Sequence, residues 1–198
     1  MFQKGAGKIT LTTWFYADPH FFHASPDKAD GIIRMCNRPF ATGREMNEAM
    51  AASWRKLVRP DDEIIVAGDF AHRADPPALR KLFESLPGRK HLVVGNHDDE
   101  VTKGLGWTSV RDVAYEVIES TKCVICHYPW TTWPRSHKPT TLMLYGHHHG
   151  KLRGNQQSAD IGVDVMGIAP VRLSAIKAYL ATLSPRVDRE SDDLENRE

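Results

Sequence analysis

The stretch His91-Leu92-Val93-Val94-Gly95-Asn96-His97-Asp98 decides how this chain is read. A short run of β-type residues stops at a glycine, and metal-ligating side chains follow at once. The pattern recurs along the sequence. Leu11-Thr12-Thr13-Trp14-Phe15-Tyr16-Ala17 runs into Asp18-Pro19-His20, and Glu63-Ile64-Ile65-Val66-Ala67 runs into Gly68-Asp69. Lys122-Cys123-Val124-Ile125-Cys126 runs into His127, and Thr141-Leu142-Met143-Leu144-Tyr145 runs into Gly146-His147-His148-His149-Gly150. Further strand-like runs cover 113–118 and 159–163. Sheets of α/β proteins carry their ligands beyond the carboxyl ends of their strands, so these endings point to one common site.

Helical patterns lie between the early strands. Residues 45–58 place Met46, Ala49, Met50, Trp54, Leu57 and Val58 on a 3.6-residue period. Residues 76–86 begin with a proline pair and stop at Pro87-Gly88. Ser174 is read as the N-cap of a last helix over 175–182. Strands alternate with helices early and follow one another later, which indicates a layered α/β fold with mixed sheets. One domain over 1–183 is expected, with 184–198 as a charged, flexible tail.

The 198 residues carry 26 Lys+Arg against 25 Asp+Glu, a net charge of +1. The tail from Ser184 onward holds three Arg and six acidic residues, so the remainder carries about +4. This balance argues against holding nucleic acid by bulk positive charge. No run approaches the roughly 20 apolar residues of a membrane span. The first ten residues lack a secretory pattern, so a cytoplasmic location is expected. Three cysteines make no disulfide framework. Cys123 and Cys126 are three apart on a strand, hence on opposite faces, and are read as core thiols.

The unusual count is ten histidines. Asp18 and His20, like His147 and His149, are two apart and share a face if the backbone is extended, with His148 turned away. Glycines at 68, 95, 146 and 150 allow sharp turns and close backbone approach. Carboxylates, imidazoles and an amide oxygen suit Mn, Fe, Zn or Ni, with no thiolate needed.

Taken in order, Asp18-x-His20, Gly68-Asp69, Gly95-Asn96-His97-Asp98, His127 and Gly146-His147-x-His149 resemble the motif blocks of the calcineurin-like metallophosphoesterase superfamily. The resemblance spans residues 12 to about 180 without a substitution in those blocks. Cys36-Asn37-Arg38-Pro39-Phe40, Gly162-Val163-Asp164-Val165 and Pro170-Val171-Arg172-Leu173-Ser174 are similar to a small bacterial and phage subgroup. The resemblance implies a four-layer α/β/β/α sandwich with two mixed β-sheets. It also implies two divalent metal ions, Mn²⁺ first and Fe, Zn or Ni as alternatives. Asp18, His20 and His149 would hold the first metal, Asp69 would bridge, and Asn96, His127 and His147 would hold the second. His97 would be the general acid and Asp98 would orient its ring. The implied activity is hydrolysis of a phosphodiester or phosphomonoester of a small molecule or nucleotide, by in-line attack of a metal-bridging hydroxide.

His23 is read as a substrate contact or a residue behind the ligands. Arg38 is read as a bidentate phosphate clamp or a surface arginine. His72 is placed at the rim, His91 is structural, and the 130–138 loop with His137 is a packed loop more than a pocket wall. The competing readings are a nuclease or protein phosphatase of the same superfamily, and a metal-free interaction scaffold. Nucleic acid enters only as a substrate, no membrane partner is expected, and the oligomeric state is not legible.

Overall fold

The structure, a computed structural model, describes residues 12–187. Its elements are β1 (Thr13–Tyr16), α1 (Gly31–Met35), α2 (Gly43–Leu57), β2 (Glu63–Ala67), α3 (Pro76–Ser85), β3 (Arg89–Val93), α4 (Glu100–Lys103), β4 (Ser109–Arg111), β5 (Val113–Ile118), β6 (Thr121–Cys126), β7 (Thr141–Tyr145), β8 (Ser158–Asp160), α5 (Val163–Met166), β9 (Val171–Arg172) and α6 (Leu173–Leu180). One sheet runs β4-β3-β2-β1-β9, the other β5-β6-β7-β8. β1 to β4 are parallel and β9 is antiparallel to β1. In the second sheet β6, β7 and β8 are parallel and β5 is antiparallel. Both sheets are therefore mixed, as the sequence pattern implied.

Period-two alternation sorts the core into layers. Tyr16, Ile64, Val66 and Leu92 face the helices and meet Met46, Met50 and Trp54 of α2 and Leu79 and Phe83 of α3. Their neighbours Phe15, Ile65, Ala67 and Val93 face the second sheet and meet Ile125, Leu142, Leu144 and Ala159. Leu173, Ile176 and Leu180 of α6 join this middle layer. On the far side of the second sheet, Val124, Cys126, Met143 and Tyr145 pack against Trp133. Among the described residues that cluster holds no helical residue, and Trp133 of the aromatic loop covers the sheet there. The loop is thus a packing element. Cys123 and Cys126 fall into different layers, as their spacing required.

Several boundaries differ from the sequence reading. α2 starts at Gly43, because Thr42 Oγ1 accepts from Glu45 N–H and the Glu45 carboxylate reaches back to Ala41 N–H. Ser174 does not cap α6. The helix follows β9 directly from Arg172, anchored by the fully buried Leu173, with no side-chain cap. β8 ends at Asp160, and Val163 opens α5 rather than closing a strand. α1, α4, β4 and β9 were not expected, since two to five residues carry no readable period. The presumed tail is attached over its described part: Ser184 O accepts from Gln156 N–H at 3.0 Å, and Arg186 lies over the Trp133 ring. The rest of that tail, 188–198, and the N-terminal segment 1–11 lie outside the described residues. Among the described residues no helix is long and apolar enough to cross a membrane.

Leu144 sits between the sheets with no exposure, whereas Val117 on edge strand β5 is 68% exposed. Leu144→Ala is expected to cost about 2–5 kcal/mol. Val117→Ala should stay within about 0.5 kcal/mol. Urea midpoints at unchanged slope measure both.

Candidate metal centre

The carboxyl ends of both parallel strand sets meet at one edge of the sandwich. His127, after β6, places Nδ1 3.0 Å from Ala67 O at the end of β2. His147, after β7, donates its backbone N–H to Asp18 Oδ2 at 3.0 Å, after β1. Both contacts cross from one sheet to the other, so the site is a seam between them.

The expected ligands converge there. His20 Nε2 and His127 Nε2 each lie 3.4 Å from Asp69 Oδ2. His20 Nε2 is 4.0 Å, and His127 Nδ1 3.9 Å, from Asp18 Oδ1. Asn96 Oδ1 is 3.0 Å from His127 Nε2 and 2.9 Å from His147 Nδ1. Among the described residues, three groups have ligand atoms close enough to share an ion: Asp18, His20 and His149; Asp18, Asp69 and His127; and Cys36, His149 and Asp164. Asp18 belongs to the first two, and Asp69 Oδ2 lies equally close to His20 and His127.

The local cause of convergence is not an extended backbone. Asp18, His20, Asp69, His147 and His149 all have φ between 50° and 69°, the left-handed region. Asp and His tolerate that region better than bulky residues, but it is strained for any of them. Each strand thus ends in a tight turn that aims its side chain into the seam. Gly146 makes the approach possible: a Cβ there would lie 2.4 Å from Asp18 Oδ2. At Gly68, φ is +88° and a Cβ would strike the His127 ring.

The residues fit a metal on their own evidence. Both ring nitrogens of His20 are buried without a hydrogen-bond partner. A buried orphan of this kind is expensive unless an unseen partner takes it. Burial drives the His20 pKa down to about 2, so its lone pair is free. Burial pushes Asp18 up to about 7, against the opposing charge of His127 and His149. Burial would also raise Asp69, but His127 hydrogen bonding and charge hold it at about 2.

A supporting tier was only partly legible. Asp164 Oδ2 lies 2.7 Å from His149 Nδ1, which leaves the other ring nitrogen for a metal. Burial opposes the charged His149 ring. Hydrogen bonds that the ring donates to Asp164 and Cys36 nevertheless raise its pKa to about 10. Asp164 in turn accepts from Arg38 Nε and Nη2, each at 2.8 Å. The sequence marked Asp164 only as part of the subgroup segment Gly162–Val165 and gave it no role, since its partner Arg38 is 126 residues away.

Two expectations are corrected here. Arg38 is buried, and its remaining N–H groups go to Pro19 O, Asp18 O and Met46 Sδ. Its donors are all engaged, so it braces the backbone of the β1 turn and does not clamp a phosphate. Asp98 makes no hydrogen bond to the His97 ring. Its carboxylate accepts from the backbone N–H groups of Asp69, Phe70 and Gly95, stitching the β2 and β3 turns together. His97 stands half-buried at the lip, with its own N–H donated to Asp69 Oδ1 at 2.8 Å. His23 and His72 lie beside it on the same side. His91 is structural, held between Ser109 and Glu63.

The family model for calcineurin-like phosphoesterases matches residues 11–161. The chain belongs to the calcineurin-like phosphoesterase family. Members generally bind two divalent metals, and the seam holds candidate ligand groups for such ions. An uncharacterized protein of Methanocaldococcus jannaschii is 28% identical over 173 residues, covering 82% of this chain and 88% of its own length. The Gene 66 protein of Mycobacterium phage L5 is 32% identical over 89 residues, 43% of this chain and 39% of that protein. The crystal structure of a protein of unknown function from Aquifex aeolicus matches with a TM-score of 0.64 and 20% identity. That match covers 86% of this chain and all of the other, and it shows the shared fold.

Two outcomes test this centre. A ligand must lose its proton to bind a cation. At pH 7 His149, at about 10, is protonated, and Asp18, at about 7, is half protonated. Loading the metal-free protein with Mn²⁺ at pH 7 should therefore release roughly one to two protons. Affinity should rise with pH through about 7 and onward to about 10. Calorimetry in buffers of different ionisation enthalpy reads the release, and none at all would contradict the assignment. Arg38→Ala removes both guanidinium bonds from the buried Asp164 and leaves it His149 alone, which is expected to destabilise the fold, by up to about 3–5 kcal/mol, and to weaken metal binding by roughly 10–100-fold. A raised KM at unchanged stability would instead restore the phosphate clamp.

Proposed function

We propose that the protein is a metal-dependent phosphoric ester hydrolase acting on a phosphodiester or phosphomonoester of a small molecule or nucleotide. The observation that carries this reading is His20, whose two ring nitrogens are buried without partners beside two carboxylates that other imidazoles also approach. Asp18, His20 and His149 would hold one cation, Asn96, His127 and His147 the other, with Asp69 between them. Mn²⁺ suits this oxygen and imidazole set, as do Fe, Zn and Ni. When bound, the two cations neutralise charge on phosphoryl oxygens and lower the pKa of water held between them.

The chain's own residues then do the following. His97 donates a proton to the departing oxygen, since it is the imidazole at the open lip whose backbone is tied to Asp69. Asp98 keeps the His97 turn in register with the Asp69 turn. Asp164 and Arg38 hold the His149 ring in the tautomer that presents its outer nitrogen. His23, half-buried at the same lip, contacts substrate on the leaving-group side.

The test is turnover of bis(p-nitrophenyl) phosphate with added Mn²⁺. Activity should vanish after EDTA treatment and desalting and return with metal. Asp69→Ala should abolish it. His97→Ala should lower turnover of esters with poor leaving groups by about 10²–10⁴. Full activity in the chelated protein would refute the metal-dependent reading.

A further inference from the structure

We propose that His72, backed by His23, is the positioning residue that holds the His97 ring toward the leaving group. This rests on the reading of His97 as the general acid.

The usual means of orienting an imidazole is a carboxylate on its second nitrogen. Here that means is missing. The nearest carboxylate in sequence, Asp98, is committed to three backbone donors. Among the described residues no group hydrogen-bonds the His97 ring. Rings surround it instead. His72 meets it edge to face, centroids 4.5 Å apart and planes at 85°. His20 lies at 5.2 Å and His23 at 5.7 Å. His23 packs on His72 at 4.1 Å, so the three rings form one mutually contacting cluster in which His72 wedges against one side of His97 and is backed by His23.

The backbone is arranged to keep that wedge in place. Phe21 and Ala71 form a parallel bridge between the turns after β1 and β2. His72 N–H donates to Phe21 O at 3.0 Å, which fixes its place relative to His23. Phe22 has φ 66° and Arg73 φ 46°, left-handed values next to His23 and His72. For a residue as bulky as phenylalanine that conformation is an outlier. It is held by Asn47 of α2, whose side-chain oxygen accepts from Phe22 N–H. Gly31 lets α1 close over the His23 carbonyl, since a Cβ there would lie 1.8 Å from that oxygen. Strain kept at the rim of a site by distant elements is the mark of a placed side chain.

The magnitude follows from rotamer freedom. A histidine has three χ1 wells and a roughly two-fold χ2, about six orientations in all. Losing the wedge leaves the His97 backbone tied to Asp69 but frees the ring among them. The productive fraction should fall about six-fold, far less than the 10²–10⁴ of removing the acid.

The experiment compares His72→Ala with the wild-type holoenzyme on two phosphodiesters, one releasing p-nitrophenolate and one releasing an alkoxide. Only the alkoxide needs the proton. We expect kcat about six-fold lower on the alkoxide ester, with KM nearly unchanged and a much smaller loss on the aryl ester. Metal content should match the wild type. His72→Phe keeps a ring in the wedge and should recover most of the loss. Equal loss on both esters, loss confined to KM, no loss, or reduced metal content would each overturn the proposal. His97→Ala is measured beside it. Leaving-group selectivity in that variant but not in His72→Ala overturns the positioning role alone. Its absence from both overturns the acid assignment as well.

Discussion

The Asp18 carboxylate lies fully buried at the junction of the two sheets. A carboxylate removed from water is costly unless charge or hydrogen bonds compensate it. Its burial is forced by position: it follows the interior strand β1, which pairs with β2 on one side and β9 on the other. Compensation comes from the opposite sheet, through His147 N–H and His127. The two sheets are therefore coupled chemically as well as by the apolar layer between them. Gly146 and Gly162 leave the space in which this coupling occurs, since a Cβ on either would crowd Asp18 Oδ2.

From that junction the polar interior grades outward in roles. Groups that face the seam keep lone pairs unspent, as His20 does on both ring nitrogens. Groups one layer back spend every donor and acceptor on the protein. Asp98 joins two strand ends, Arg38 joins the β1 turn to Asp164, and Asp160 accepts from Gly150 and Gly162 N–H. Fully satisfied networks of this kind are stiff, and stiffness is what a constellation of convergent ligands requires. The strained left-handed residues at the ligand positions are tolerated because these networks over-determine them. His72 and His23 differ from both tiers. They act by ring packing, at the lip where the seam opens.

Much of this was legible because local rules and the global fold agree. The runs over 63–67, 113–118 and 141–145 read as strands and are strands, because each is short, β-branched or aromatic, and bounded by breakers. The seven expected metal ligands all arrive at the seam, since each sits just past a strand end. What misled was local geometry. The same-face argument for Asp18 and His20 assumed extended backbone, whereas the residues turn left-handed. The role given to Asp98 came from the family resemblance, which placed it behind the His97 ring. Its carboxylate turns instead toward the Asp69 turn, 29 residues earlier.

Sequence alone determined the longer strands and helices, the mixed α/β class and which side chains converge on the seam, because these depend on short-range pattern, residue chemistry and motif order. Tertiary structure decided which side chains act on the ligands and which act behind them. Arg38, Asp164 and His149 lie in three segments with no local signal linking them, yet they form one buried chain of hydrogen bonds. Likewise His23, His72 and His97 come from three different turns. Such partners are chosen by desolvation: once the seam closes, each buried polar group must take whichever partner the packed sheets bring within reach.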